Sequence, residues 1–388
     1  MIRFIPGNRI TLLESGTDYF PALLEAIDGA EREIHLETYI FADDETGRRV
    51  AAALSRAVRR GVSVRVLIDG FGSRSLIGGL EHDLRAAGVQ VLFYRPELGG
   101  LRLKRYRLRR LHRKIALVDG RTAFVGGINV IDDLDTPGQI PPRYDYAVKV
   151  EGPLVPRIDR AVRRVWTLVS WSQLRRRRLR RKPRRPRVIR AGDMRAAFLV
   201  RDSIRHRRDI EEAYLEAIRG AEREIVIASA YFLPGVHFRR ALIDAVQRGV
   251  RVVLLLQGKV EYLLLHYASR ALYGQLLDAG IEIHEYHKGF LHAKVAVVDG
   301  RWATVGSSNI DPFSLLLAKE ANVVVDDPRF AARLRKSLET AMANCSRQLS
   351  RDGWKRQPLY RRFLSWGSYG LARFLMGVVG YARRYDET

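Results

Sequence analysis

The chain contains a version of itself. Residues 26–34 read AIDGAEREI and residues 217–225 read AIRGAEREI. Each is followed by an apolar, strand-like run that ends in Tyr39-Ile40-Phe41 or Tyr231-Phe232. Next comes a helical stretch closing on arginine and glycine, ALSRAVRRG to Gly61 and ALIDAVQRG to Gly249, then the buried-strand patterns VSVRVLID and VRVVLLLQ. A further helix leads into GVQVLFYRP from Gly88 and GIEIHEYHK from Gly280, and the last shared block is LHRKIALVDG or LHAKVAVVDG. Blocks in one order at similar spacing are a duplication, and a duplication constrains the fold before any single element does. Strands alternating with helices that end in glycine predict an α/β unit with a largely buried sheet, made twice.

The closing block of each copy carries the chemistry. His112, Lys114 and Asp119 recur as His292, Lys294 and Asp299, and seven residues later Gly126-Gly127-Ile128-Asn129 recurs as Gly306-Ser307-Ser308-Asn309. One chance match to the three-residue pattern is expected in roughly one such chain in a hundred. Two matches with the same sequel inside a repeat are not chance. If the block is a strand, His112 and Lys114 share a face, as do His292 and Lys294. Docking the copies about a pseudo-twofold axis then gathers two imidazoles and two ammonium groups around one cavity.

Two imidazoles are what a phosphodiester exchange needs. One attacks phosphorus; the other protonates the departing alkoxide and later deprotonates the incoming alcohol. Lys114, Lys294, Asn129 and Asn309 would hold the non-bridging oxygens, and with lysine charge available no metal is required. Asp145 in RYDYAV and Glu320 in KEANVV occupy matching places and are expected to orient the imidazoles. Asp119 and Asp299 sit in Val-Asp-Gly turns, which favours a turn-capping or tie-down role over contact with substrate. His35, His82, His206, His237, His266, His284 and His287 show no repeated spacing and receive no role; His284 and His287 face opposite sides of a strand.

These paired motifs resemble the phospholipase D superfamily, over roughly residues 8–345. The resemblance implies an α/β fold of two pseudo-twofold-related phospholipase D-like repeats, each a mixed β-sheet flanked by helices, with the active site at their interface. It also implies a phosphohistidine intermediate, no metal and no other cofactor, and a catalytic set of His112, Lys114, Asp119, His292, Lys294 and Asp299. Within the superfamily the chain is similar to the shorter bacterial cardiolipin synthases, on GNRITLLESGTDYFPALLEAI, HLETYIF, HRKIALVDGRTAFVGGIN and RYDYAVKVEGP. Gly127 stands where the second copy has Ser307, a candidate for contacting the phosphate or orienting the groups around it. The implied reaction moves a phosphatidyl group from one phosphatidylglycerol, or from phosphatidylethanolamine, to the hydroxyl of another phosphatidylglycerol. Glu37 is a pocket candidate by resemblance only, and of the two histidines His112 is the favoured nucleophile.

Composition bears on the partner. A formal charge of +25 over 388 residues, carried mainly by arginine, calls for a polyanion: an anionic phospholipid membrane or nucleic acid. Residues 175–190 hold ten arginines, one lysine and two prolines, and read as an exposed linker. Residues 101–110, LRLKRYRLRR, add six basic groups just before His112. Residues 363–382 are twenty mostly apolar positions interrupted by Arg373, long enough to span a bilayer. On a helical wheel Arg361, Arg362, Ser365, Ser368, Arg373, Arg383 and Arg384 oppose Phe363, Leu364, Leu371, Phe374, Leu375 and Val378. That is the pattern of a helix lying in the membrane interface; packing on the domain is the alternative. A nuclease of the same superfamily would suit the charge but has no use for such a tail, so nucleic acid is disfavoured, and intact motifs disfavour a non-catalytic scaffold. The expected organisation is a first repeat (1–172), an arginine-rich linker (173–195), a second repeat (196–350) and a basic amphipathic segment (351–388). With one cysteine, no intrachain disulfide, and no apolar leader at the start, the chain is expected to act peripherally on the cytoplasmic side of the cell membrane.

Overall fold

The computed structural model describes residues 2–95, 110–136, 140–173, 189–202, 206–260, 262–311 and 318–378. Most of the linker and of residues 101–110, and the arginines at 383 and 384, lie outside these.

Each copy of the duplicated sequence builds one α/β unit. The first runs β1 (Ile5–Glu14), α1 (Ser15–Asp28), β2 (Glu33–Thr38), α2 (Glu45–Arg59), β3 (Ser63–Asp69), α3 (Leu80–Ala86), β4 (Gln90–Tyr94), β5 (Arg110–Leu111), β6 (Lys114–Val118), β7 (Thr122–Gly126), β8 (Tyr146–Glu151) and α4 (Val155–Ser172). The second runs β9 (Met194–Arg201), α5 (Asp209–Arg219), β10 (Glu224–Ser229), α6 (Val236–Gln247), β11 (Arg251–Gln257), α7 (Leu263–Asp278), β12 (Glu282–Tyr286), β13 (Lys294–Val298), β14 (Trp302–Gly306), β15 (Ala318–Asp326) and α8 (Pro328–Cys345). β16 (Ser346–Gln348), α9 (Arg351–Lys355) and α10 (Leu359–Val378) follow. β9 begins two residues ahead of the boundary expected at 196.

The glycines that close α2 and α6 act as the sequence suggests. Gly61 (φ +87°) and Gly249 (φ +89°) take left-handed backbone that a side chain resists. Their turns are held by the N–H of Val62 on the carbonyl of Ala57 and that of Val250 on Ala245, 3.0 Å each.

The strands form one continuous mixed sheet, ordered β16-β12-β11-β10-β13-β14-β15-β9-β1-β8-β7-β6-β2-β3-β4, with β5 pairing β15 from the side. Apart from β16 the order is a palindrome about the antiparallel β9–β1 pair, the order a twofold axis imposes. One apolar cluster straddles that axis, from Ile10, Val125, Val148 and Val162 to Val226, Val323, Leu334 and Leu338, so the repeats share a core. A separate outer core serves each repeat, around Leu23, Val50 and Leu54 in the first and Ile218, Leu242 and Leu276 in the second.

The helix α10 lies against α7 through a narrow stripe that buries Ser365 and Ala372. Ser365 thus points inward, against its expected place on the solvent side. Phe363, Leu364, Trp366, Leu371, Phe374 and Leu375 are all exposed. Among the described residues no helix is long and apolar enough to cross a membrane, so the expectation that 363–382 could span one is not met there.

Candidate active site

The two histidines sit just ahead of β6 and β13 rather than within them. Each is pinned by the opposite repeat: the backbone N–H of His112 donates to the carbonyl of Lys319 at 3.0 Å, and that of His292 to Tyr144 at 2.8 Å. The side chains cross the same boundary. Nδ1 of His112 lies 3.0 and 3.2 Å from the carboxylate oxygens of Glu320, and Nδ1 of His292 lies 2.7 Å from Oδ2 of Asp145. A carboxylate only accepts, so each Nδ1 carries the proton and each Nε2 presents a lone pair. Neither repeat alone has an oriented imidazole.

The carboxylates are themselves fixed. Asp145 accepts the N–H of Tyr146 at 2.8 Å. A Cβ on Gly127 would fall 2.3 Å from Oδ1 of Asp145, so a side chain there would displace the carboxylate from His292. In the second repeat Ser307 takes this place and its hydroxyl donates to Glu320, with the N–H of Ala321 donating back at 3.1 Å. Ser307 therefore orients Glu320 instead of lying open to a phosphate, and the Gly127/Ser307 difference matches the Asp145/Glu320 difference.

Lys114 and Lys294 are buried, and each donates Nζ to the carbonyl of the histidine two residues earlier, at 2.6 Å for Lys114. Lys114 also lies over the ring of Tyr39 (5.4 Å), whose centroid is 4.9 Å from that of His112. Burial dominates the electrostatics. It pushes His292 down to about 3, with Lys294 adding to the shift and Asp145 opposing it. His112 is lowered by burial against the pull of Glu320, and burial, opposed by Glu320 and aided by Lys294, brings Lys114 down to about 7. Burial opposes ionisation of Asp145, but Lys294 and His292 hold its carboxyl below the usual range. Each imidazole feels the lysines of both repeats. Burial thus favours the neutral form of both histidines, with Lys114 and Lys294 the basic groups beside them.

Other candidates are placed differently. Asp119 accepts the backbone N–H groups of Glu31, Arg32 and Glu33 at 2.8–2.9 Å, and Asp299 those of Glu222, Arg223 and Glu224. Both residues have positive φ (54° and 51°) in the tight turns that join β6 to β7 and β13 to β14. They tie the hairpin to the start of the neighbouring strand, which corrects their inclusion among catalytic groups. Glu37 forms a buried ion pair with Arg113 (Nη2 to Oε1 2.8 Å) on the α4 side of the sheet, where Arg113 also reaches the carbonyl of Ala161. Arg113 lies between His112 and Lys114 and points the other way, so Glu37 is not a pocket residue. Asn129 is buried, with Oδ1 accepting the N–H of Ile40 at 3.1 Å; Asn309 is buried at the matching place. Among the described residues no cluster of histidine, cysteine and carboxylate side chains could hold a metal ion.

Two residues escaped the sequence reading. Asp69, at the end of β3, accepts the N–H of Leu111 at 2.8 Å, and Gln257, at the end of β11, accepts that of Leu291 at 3.2 Å. Each thus holds the backbone just before a histidine. Overlaying the two copies would have put them in register, but they differ in type and so carry no visible motif.

The family described as "Cardiolipin synthase, PLD-like domain" matches residues 23–133 and again 214–342. The cardiolipin synthase B of Escherichia coli strain K12 is 38% identical over 387 residues, covering 97% of this chain and 90% of that protein. A cardiolipin synthase of Oceanobacillus iheyensis is 32% identical over 362 residues, 93% of this chain and 74% of the other. Among solved structures, the phosphatidylserine synthase of Haemophilus influenzae has the same fold, with a TM-score of 0.72 at 14% identity over 98% of this chain and 97% of that one.

Proposed function

The chain belongs to the cardiolipin synthase family of phospholipase D-like proteins, and from that membership we propose that it is a phosphatidyltransferase joining two phosphatidylglycerols. The observation that carries the mechanism is the pair of imidazoles, each aligned by a carboxylate of the opposite repeat, with two buried ammonium groups beside them.

In the first half-reaction the Nε2 lone pair of His112 attacks phosphorus. The bond from phosphorus to the headgroup oxygen breaks, and His292 delivers a proton from Nε2 to that oxygen, freeing glycerol. In the second half, a hydroxyl of an incoming phosphatidylglycerol gives its proton to His292 as its oxygen bonds to phosphorus. The phosphorus–nitrogen bond then breaks, with its electron pair returning to His112. Lys114, Lys294 and the amide groups of Asn129 and Asn309 balance charge on the pentavalent centre. Asp145 and Glu320 keep the reacting nitrogens aimed and support the cationic imidazole. The phosphodiester anion raises the pKa values of the groups around it, so the substrate itself supplies the conditions for a protonated His292. Phosphatidylethanolamine is a second donor that the same chemistry admits.

The protein works peripherally, at the cytoplasmic leaflet. Support comes from its net charge of +25 and from the exposed aromatic and aliphatic side of α10, suited to the depth of lipid headgroups. The deciding experiment incubates purified protein with vesicles containing labelled phosphatidylglycerol and separates the lipids. Cardiolipin and free glycerol are the expected products. Phosphatidic acid alone, or no turnover, would rule out the synthase reading.

A further inference from the structure

The two repeats correspond closely around their histidines, and two places where they differ lie side by side. Backbone pairing fixes the correspondence: Thr38 is opposite Ile68 as Ser229 is opposite Leu256. The next residues along β2 and β10 are therefore Tyr39 and Ala230, and along β3 and β11 they are Asp69 and Gln257. Tyr39 lays a ring beside His112; Ala230 has no ring to lay. Asp69 uses one oxygen on Leu111 and the other on the N–H groups of Phe71 (3.0 Å) and Gly72 (3.3 Å), closing its own loop. Gln257 makes the equivalent bond to Leu291 through Oε1 and has an amide group left over.

The exchanges leave a cleft in the second repeat. It is narrow and open to solvent, and is lined by Ala230, Gln257, Lys259, Tyr262, His266 and Ser269, among others. Gln257 is more than nine-tenths buried, and its Nε2 makes no hydrogen bond within the protein. A buried donor left unmet is costly, and a ligand oxygen relieves that cost. Burial and Arg270 hold His266 down to about 4, so a neutral imidazole faces the same space. Among the described residues no carboxylate lines it. Tyr262, which lines it, and its chain neighbours Val260 and Leu263 are exposed, apolar surface of the kind acyl chains cross.

We propose that this cleft is the headgroup subsite, binding a glycerol moiety on the His292 side with Gln257 donating to one of its hydroxyl oxygens. The proposal rests on the phosphatidyltransferase reading. In-line displacement puts the alcohol opposite the nucleophile, so with His112 attacking, both departing and entering glycerol belong beside His292. One subsite serves both halves because the leaving group and the acceptor present the same group.

The test uses a phosphatidyl p-nitrophenyl ester as donor, offered with equal concentrations of glycerol and 1-propanol. Nitrophenol release reports the first half-reaction, and the ratio of phosphatidylglycerol to phosphatidylpropanol reports the acceptor. Wild type should favour glycerol by about tenfold or more, the scale of one or two hydrogen bonds. Ala230→Tyr refills the cleft with the first repeat's own side chain. Gln257→Glu keeps an oxygen for Leu291 but replaces the amide donor. Each variant should bring the ratio to within about twofold of one. A preference retained in both variants, or absent from wild type, overturns the subsite alone. Nitrophenol release without transfer to either alcohol, or no release, overturns the transferase reading and the subsite with it. Should Ala230→Tyr fail to fold, the ratio for Gln257→Glu decides.

Discussion

Nδ1 of His292 and Oδ2 of Asp145 are 2.7 Å apart, although the histidine belongs to the second repeat and the aspartate to the first. The bond fixes which nitrogen faces the substrate. Asp145→Asn preserves shape but allows the wrong tautomer and removes support for the imidazolium. We expect a loss of up to ~10⁴ in kcat, the scale of the loss when the aspartate of a Ser-His-Asp triad is neutralised. Binding of lipid vesicles should be unchanged. A kcat within threefold of wild type would mean that the carboxylate does not orient His292.

Lys114 predicts the shape of the pH profile. Burial lowers its pKa to about 7 in the free protein, and only the ammonium form stabilises the phosphate. kcat/KM, which reports the free enzyme, should therefore fall as pH rises through about 7. A bound phosphodiester anion raises that pKa, so the fall in kcat should come at higher pH. Coincident basic limbs for kcat and kcat/KM would contradict the assignment.

Asp119 should behave as a structural residue. Asp119→Ala strands three backbone N–H groups at the start of β2 and puts alanine at φ 54°. The cost is ~1–3 kcal/mol, read as a Tm lowered by several degrees. Activity per folded molecule should stay within about threefold. Loss of turnover at unchanged Tm would return Asp119 to the catalytic set.

The outward side of α10 predicts where the protein meets lipid. Replacing Phe363, Leu371 and Phe374 together by serine removes three exposed apolar side chains while leaving the Ser365–Ala372 stripe that packs on α7. Co-sedimentation with anionic vesicles should weaken by at least about tenfold. Hydrolysis of a soluble phosphodiester should not change. Undiminished vesicle binding would direct attention to another surface.

What could be read from the sequence was what the duplication repeats in kind. His112, Lys114, Asp145 and Glu320 stood out because each has a counterpart of like chemistry at a like place. The exchange of carboxylates between repeats was not legible, since it depends on how β1 meets β9 and on the docking of the two units. Glu37 was assigned by resemblance alone; the alternation of β2, Glu33-Ile34-His35-Leu36-Glu37, shows which residues share a face but not what that face meets. The ion pair with Arg113, which points away from His112 and Lys114, is what places it. Asp69 and Gln257 went unseen because a carboxylate and an amide do the same backbone task. Ser365 faces inward because α7 selects the small-residue stripe of α10, a tertiary preference that a helical wheel does not contain.

The central claim is a divided labour between two histidines in one site shared by both repeats. It is tested most directly by trapping the intermediate. With a phosphatidyl p-nitrophenyl ester the leaving group needs no proton, so His292→Asn should still form the covalent adduct but lose the base that discharges it. Mass spectrometry of the quenched protein should then find a phosphatidyl group on the peptide containing His112, and none on His292 in the His112→Asn protein. An adduct on His292, or none in either variant despite nitrophenol release, would contradict the account.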